Sequence, residues 1–259
     1  MAYDAGQYAE LLLELDKTLL SLDELGSLNF RASGLIENVR VQVYLNEGFG
    51  RRVSILKHCL ANIYRQFPPD TSSRLTKEAL HDVEIALHAF VMNLYGAFDN
   101  LAWAFVIRHD LMPKLKTVNN VGMFTKHVKA FLPQAISHYL YSETMSAWSK
   151  NYLKNYRDSL AHRIPLYIPP AVLSNEQADR YIELDRQEIV NLRERKWNAL
   201  DEIRAERDLL GGPSFMFLNS LSNGESSQAI RLHPQLLCDA ATLIEFSRVF
   251  FNHWHEVPT

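Results

Sequence analysis

The stretch AFVMNLYGAFDNLAWAFVI, residues 89–107, decides the fold of this chain. It belongs to a helical pattern in which apolar residues recur at steps of three and four from Leu80 to Phe105. The stretch is apolar on nearly every face of the helix, and it is as long as a membrane span. It contains Asp99, however, and an acid at the middle of a bilayer is costly. The sequence therefore predicts a helix buried at the centre of a soluble bundle, or one covered on one face by a second subunit.

Most of the remaining sequence has helical periodicity as well, with one small β-hairpin near the C-terminus. Two apolar segments, 215–218 and 229–232, flank the polar turn Ser222-Asn223-Gly224 and form that hairpin. Further helices are predicted at residues 8–22, 53–67, 121–132, 142–164 and 174–208, and from 234 onward.

The fold class predicted from these elements is an all-α helical bundle with a small hairpin. We expect a single domain over residues 1–259, with a core at 76–164. A charge-dense helix, the hairpin and a final packing helix follow over 165–259, after the extended connector 164–170. The segment Gly48-Phe49-Gly50-Arg51-Arg52 could cradle an anion at a helix N-terminus, but a Gly-x-Gly of this kind is most often a turn.

The composition excludes several classes of protein. The formal net charge of −3 argues against a broad nucleic-acid-binding surface, so any RNA contact must come from a local basic patch. The two cysteines, Cys59 and Cys238, provide neither a disulfide framework nor a zinc cluster. We therefore expect no metal and no cofactor. The first residues lack a basic region and a long apolar run, which favours a cytoplasmic location without a membrane anchor.

The segment Arg157-Asp158-Ser159-Leu160-Ala161-His162 carries the residues most suited to chemistry. Arginine supplies a permanent cation whose planar fork of donors fits a phosphate. Histidine is the side chain best able to transfer protons near neutral pH. Cleavage of a phosphodiester requires both functions. The alternative is a helix C-terminus at which cations are favoured by the helix dipole.

Helical geometry limits how these residues can cooperate. Asp158 and His162 are four residues apart and share a face, so the carboxylate could orient the imidazole through a hydrogen bond. Arg157 lies roughly 140° around the helix from His162. The two side chains could act together on a substrate lying across the helix, or in a site built from two copies of the helix.

The pattern Arg-Asp-x-x-Ala-His resembles the signature of the HEPN superfamily, in which an Arg precedes a His by a few residues. Asn or Asp commonly follows the Arg, and Ala often precedes the His. The resemblance covers two helices, from Leu80 to His162, since the motif of that family usually lies late in a helical bundle behind a long apolar helix.

The resemblance implies a homodimer whose protomers pair along the motif helix, so that Arg157 and His162 of both copies line a shared cleft. It implies metal-independent endoribonuclease activity that leaves 2′,3′-cyclic phosphate and 5′-hydroxyl ends. RNA is then the substrate, His162 moves the protons, and Arg157 stabilises charge on the phosphate. The family also implies a toxin–antitoxin or defence setting, with an antitoxin or regulatory protein as a partner.

Other polar residues could support the motif. Asp99 and Asn100, in the apolar helix, could lie against Arg157 or His162 and position them, or Asp99 could make a purely structural contact. Arg163 and Lys154 could bind phosphate, or could belong to a solvated face.

A second function of a different class stays open on the sequence. The chain could be a catalytically inactive HEPN-like helical module that binds a nucleotide or a partner protein. The net acidity favours this alternative, whereas the intact Arg-Asp-x-x-Ala-His motif favours the enzyme.

Overall fold

A computed structural model of the chain describes residues 3–219 and 229–256, apart from the side chains of 255 and 256. The chain is a helical bundle with one two-stranded antiparallel sheet near the C-terminus, which confirms the predicted fold class. The α-helices are α1 (Ala5–Gly34), α2 (Val39–Val43), α3 (Arg51–Gln66), α4 (Lys77–Arg108), α5 (Met112–Leu115), α6 (Lys126–Lys129), α7 (Gln134–Leu140), α8 (Glu143–Ala147), α9 (Lys154–His162), α10 (Asn175–Arg193), α11 (Trp197–Asp208) and α12 (Leu232–Glu256).

The predicted central helix is α4, and it packs against α3, α9 and α12. It begins after Thr76, whose side chain accepts a hydrogen bond from the Ala79 amide. α4 is long and apolar enough to cross a membrane, but 56% of its most apolar window is buried inside the protein. The core helix of a soluble protein has the same length and composition.

Aromatic side chains from α4 and α12 fill the centre of the bundle. The rings of Phe98 and Phe246 stack with centroids 5.0 Å apart, and Phe98 also contacts Phe124 at 5.0 Å. α1 packs along α12, and α3 lies against both α1 and α4. The amphipathic patterns of the sequence thus fold onto one apolar cluster, which draws residues from Leu11 to Trp254.

The hairpin forms as predicted from strands β1 (Met216–Leu218) and β2 (Ala229–Arg231), with Phe217 opposite Ile230. The predicted turn at 222–224 lies outside the described residues. The extended connector also pairs with β1, because the Tyr167 amide donates to the Leu218 carbonyl oxygen at 3.2 Å and the reverse bond measures 2.9 Å. The connector and the hairpin are therefore one structural unit beside α9.

Glu84 and His88, on α4, hold the same connector. The Ile168 amide donates to the Glu84 carboxylate at 2.9 Å, and Nε2 of His88 lies 2.7 Å from the Leu166 carbonyl oxygen. With these contacts, α9 and the connector lie antiparallel to α4. Among the described residues, no group of three or more His, Cys, Asp or Glu side chains could hold a metal ion.

Three local predictions were wrong. The segment Gly48-Phe49-Gly50 is not a turn but part of a π-helical segment, Tyr44–Gly50, that joins α2 to α3 without a break. Gly48 is required there because a Cβ atom would lie 2.8 Å from the Asn100 side chain. The glycines therefore permit close helix packing rather than a chain reversal.

The charge-dense segment begins after Ser174, which forms a capping box with Gln177, but it is two helices rather than one. The chain reverses at Arg195, whose φ is +56°, and α11 folds back on α10. Arg180 pairs with Glu206, and Glu188 binds Arg204 and Arg207 across the two helices. The charged residues of this segment thus form ion pairs between two antiparallel helices, α10 and α11. The predicted helix at 121–132 is likewise reduced to the single turn of α6.

Asp239, on α12, is a fully buried acid that holds the segment leading into the motif helix. Its carboxylate accepts hydrogen bonds from the Trp148 indole at 2.9 Å, the Tyr152 hydroxyl at 2.5 Å and the Gln235 amide at 2.8 Å. Trp148 and Tyr152 belong to a second π-helical segment, Trp148–Leu153, immediately before α9. Burial raises the pKa of Asp239 to about 6, and the three donors offset only part of that effect.

We predict that Asp239→Asn removes a contribution to the free energy of unfolding, and that this contribution increases as the pH falls. The pKa of this acid is higher in the folded chain than in the unfolded chain. Its contribution to the free energy of unfolding is therefore complete below the unfolded pKa and is lost as the pH rises through the folded pKa. Relative to Asp239→Asn, the wild type should therefore gain about 1 kcal/mol of unfolding free energy between pH 7 and pH 5. Urea unfolding of both proteins at several pH values measures this difference. A wild type that instead loses stability relative to the variant on acidification would show that the hydrogen bonds outweigh burial.

Candidate active site

The motif lies on α9, which begins directly after the second π-helical segment and ends at His162. The chain turns extended at Arg163, as the following Pro165 requires of this region. Buried Tyr156 and Ser159 hold the inner face of α9, and the Ser159 hydroxyl donates to Oδ1 of Asn219, just after β1, at 2.8 Å. α9 is thus fixed on one side by α4 and on the other by the hairpin.

Arg157 points along α4 rather than into solvent. Its guanidinium carbon lies 4.3 Å from the centroid of the Tyr95 ring, and Nη1 lies 3.0 Å from the Asp158 carboxylate. The side chain is 26% exposed. Burial acts to lower the pKa of Arg157, but Tyr95, Asp158 and Asp99 outweigh it and raise the pKa above its ordinary value. The arginine is therefore charged and held in one position.

The guanidinium of Arg157 has unused hydrogen-bonding capacity. Its Nε atom is buried and finds no acceptor within the described ranges. A buried donor without a partner costs free energy, and such groups are rare in folded proteins. An anion that approached this side of Arg157 would satisfy the donor.

The charges of Asp99 and Arg157 affect each other, but the two side chains form no ion pair in the described structure. Burial raises the pKa of Asp99 to about 6, and the charges of Arg157 and Arg52 act in the opposite direction. The carboxyl makes no hydrogen bond or ion pair with His162. Arg157 lies over Tyr95, which is four residues before Asp99 on α4, so Asp99 and Arg157 are on the same side of that helix.

Asp158 does not contact His162. Lys154 donates to one carboxylate oxygen of Asp158 at 2.5 Å, and Arg157 lies 3.0 Å from the other. The proposed Asp158–His162 hydrogen bond is absent because Lys154 and His162 are both four residues from Asp158, in opposite directions, and the lysine takes the contact. Lys154 is thereby engaged with an acid in this structure rather than free to bind phosphate.

His162 lies on the surface at the end of α9. Its side chain is exposed and makes no hydrogen bond or ion pair with the described residues, and Arg163 is exposed in the same way. Arg157 and His162 border opposite edges of the exposed face of α9, as the roughly 140° between them requires. One protomer therefore does not bring the two side chains together.

Asn100 supports a residue that was absent from the predicted site. Its Oδ1 accepts a hydrogen bond of 2.8 Å from Nε of Arg52, and Asn93 accepts another, of 3.1 Å, from Nη1 of the same arginine. Arg52 reaches α4 from α3. The only sequence signal for it was the Gly48-to-Arg52 segment, interpreted above as a turn beside two arginines.

A groove in the described structure lies away from the motif. It has a volume of about 410 Å³ and lies between α1 and α12, lined by residues that include Tyr3, Leu11, Leu237 and Cys238. None of the residues that line it belongs to α9.

Searches against models of protein families, curated proteins and solved structures returned no significant match.

We predict that the pKa of Asp99 depends on both arginines. Removing a nearby positive charge disfavours the carboxylate, so Arg157→Gln and Arg52→Gln should each raise the pKa of Asp99 further above about 6. The larger rise is expected for Arg157→Gln. Carbon-13 NMR titration of the aspartate carboxyls measures the shift, with Arg163→Gln as a control for an exposed arginine of the same region. An unchanged pKa in both variants would place Asp99 outside the field of the two arginines.

Proposed function

We propose that this chain is a metal-independent endoribonuclease of the HEPN type, which cleaves RNA to 2′,3′-cyclic phosphate and 5′-hydroxyl ends. The observation that supports this proposal is the state of Arg157. A charged guanidinium is held over Tyr95 with a buried Nε donor that has no acceptor in the described structure, five residues before an exposed histidine.

The reaction needs two proton transfers and stabilisation of a phosphate. The ribose 2′-oxygen attacks the adjacent phosphorus and forms a new P–O bond, while the bond from phosphorus to the 5′-oxygen breaks. The 2′-hydroxyl must lose its proton, and the departing 5′-oxygen must gain one. One His162 can carry out both transfers by accepting the proton from the 2′-hydroxyl and passing it to the 5′-oxygen.

Arg157 is suited to hold the phosphate during this step. Its position is fixed by Tyr95 and Asp158 before any substrate binds, so its donors need little reorganisation as charge develops on the phosphate oxygens. Asp99 then acts as a positioning residue, because it contributes negative charge near Arg157 without contacting His162.

In this proposal a second copy completes the site. Arg157 and His162 diverge on one α9, so the proposed site combines α9 helices from two protomers. We propose that the homodimer places Arg157 of one copy near His162 of the other.

The biological setting follows from the same proposal. An RNA-cleaving enzyme of this kind would act in the cytoplasm as a toxin or a defence effector, with an antitoxin or regulatory protein as its partner. The alternative is an inactive helical module, favoured by the engagement of both Lys154 and Arg157 by Asp158.

The first prediction from this proposal concerns the two motif residues. His162→Ala should lower RNA cleavage by roughly 10²–10⁴-fold, the usual contribution of a general acid or base. Arg157→Lys should also be strongly impaired, because an ammonium cannot reproduce the planar fork of donors. Cleavage by the wild type should persist in excess EDTA and leave cyclic phosphate ends. Gel electrophoresis of labelled RNA and end-group analysis by mass spectrometry measure these outcomes.

The matched control is His58→Ala, which removes an exposed histidine on α3. It should cleave RNA at the wild-type rate. Chelator-sensitive cleavage, or full activity of His162→Ala, contradicts the mechanism. A folded wild-type protein that cleaves no RNA supports the inactive binding module instead.

The second prediction concerns the shared site. Arg157→Lys and His162→Ala should each be inactive alone, but a mixture of the two proteins should regain activity. A mixed dimer contains one site with an intact Arg157 from one copy and an intact His162 from the other. Light scattering should show a dimer at micromolar concentration. A monomer, or a mixture with no recovered cleavage after subunit exchange, would exclude a site shared between copies.

A further inference from the structure

Arg52 occupies a slot on α4 that is shaped for its guanidinium. The slot is open because residue 96 is glycine: a Cβ atom there would lie 2.4 Å from the guanidinium carbon of Arg52 and 2.5 Å from Nη1. Real Cβ atoms do not approach other atoms so closely, so any other residue at position 96 would displace the arginine. Gly48 also lies close to Asn100, which is one of the two residues that accept hydrogen bonds from Arg52.

The partners of Arg52 are neutral. Asn100 and Asn93 accept its hydrogen bonds through their amide oxygens, and no carboxylate of the described residues lies within ion-pair distance of it. Arg51, the preceding residue, is different because it is exposed and pairs with Glu47. Arg52 is therefore oriented without being neutralised by direct contact.

Part of the Arg52 guanidinium is left for a ligand. An arginine has five N–H donors, and the two amide oxygens take one from Nε and one from Nη1. The remaining donors have no acceptor among the described residues. The side chain is half-buried, so these donors belong to a fixed group at the surface rather than to a freely moving one.

Arg52 and Arg157 approach α4 from different helices and act on the same carboxyl. The charges of both lower the pKa of Asp99, which burial raises. Arg52 comes from α3 and Arg157 from α9, with Asn93, Gly96 and Asp99 on α4 between them. Two fixed cations thus flank a half-buried polar strip of α4, with one weakly acidic carboxyl in that strip.

We propose that Arg52 is a second phosphate-binding residue, and that single-stranded RNA lies across α4 with one phosphate at Arg157 and a neighbouring phosphate at Arg52. This inference depends on the proposed function, since it assigns the path of the same substrate. Guanidinium groups bind phosphate through paired donors, and a single strand presents successive phosphates that two fixed arginines can bind together. The path also explains why an acidic protein can bind RNA: a local pair of cations replaces a broad basic surface.

A purely structural role for Arg52, joining α3 to α4, predicts a different result from a binding role. A structural arginine affects stability, whereas a phosphate-binding one affects RNA affinity and the salt dependence of that affinity. Gly96→Ala separates the two further. It retains the arginine and its charge but removes the slot that orients the guanidinium.

The test measures binding of a fluorescent single-stranded oligonucleotide with 2′-O-methyl riboses, which lacks the attacking hydroxyl, by anisotropy at several salt concentrations. Arg52→Gln should weaken binding about tenfold and reduce the salt slope by roughly one. Gly96→Ala should weaken binding to a similar degree. Arg51→Gln is the matched control and should bind like the wild type. For RNA that can be cleaved, Arg52→Gln should raise KM more than it lowers kcat.

The outcomes separate this inference from the proposed function. Binding by the wild type that weakens in Arg52→Gln, without any cleavage of RNA, supports the binding site and removes the enzyme. Cleavage by the wild type with equal oligonucleotide affinity in Arg52→Gln and Arg51→Gln overturns the binding site alone. An Arg52→Gln variant that loses thermal stability but keeps wild-type affinity and salt slope assigns Arg52 to helix packing, and a wild type that binds no oligonucleotide overturns the inference as well.

Discussion

The burial of α4 is the constraint on which the rest of this structure depends. A helix that is apolar on almost every face must be covered on almost every side, and here α3, α9 and α12 provide that cover. The side that remains open carries the polar residues of the helix, including Asn93, Asp99 and Asn100. Arg52, from α3, and Arg157, from α9, reach this polar strip of α4 from its two edges.

The buried acids of the fold show how the motif helix is held. Asp239 draws Trp148 and Tyr152 onto α12, and the π-helical segment that contains them leads directly into α9. A π-helical turn adds a residue to a helix and is frequent at functional sites. The orientation of Arg157 towards Tyr95 therefore depends on a carboxyl about 80 residues away in the sequence, on α12.

Periodicity and capping predicted much of the fold, because both are local properties. The helix starts near Ser142 and Ser174 and the two strands of the hairpin follow from neighbouring residues. The errors have different causes. Arg195 reverses the chain inside a continuous helical pattern through local hydrogen bonds, such as the one from the Lys196 amide to the Asn191 carbonyl oxygen. Gly48 continues a helix where a turn was expected, and its close neighbour Asn100 is distant in sequence. For the site, the short motif identified Arg157 and His162 as candidates, but Arg52 carried no local signal strong enough to join them.

The sequence by itself determined the helical class, the central position of α4 and the divergence of Arg157 from His162, because helix periodicity and residue type fix these. The tertiary structure alone decided which partners the polar side chains take. Asp158 binds Lys154 and Arg157 rather than His162, and Asn100 binds Arg52. These choices depend on which helices pack side by side and how closely glycine lets them approach, and such distances between remote segments are not encoded in any local pattern.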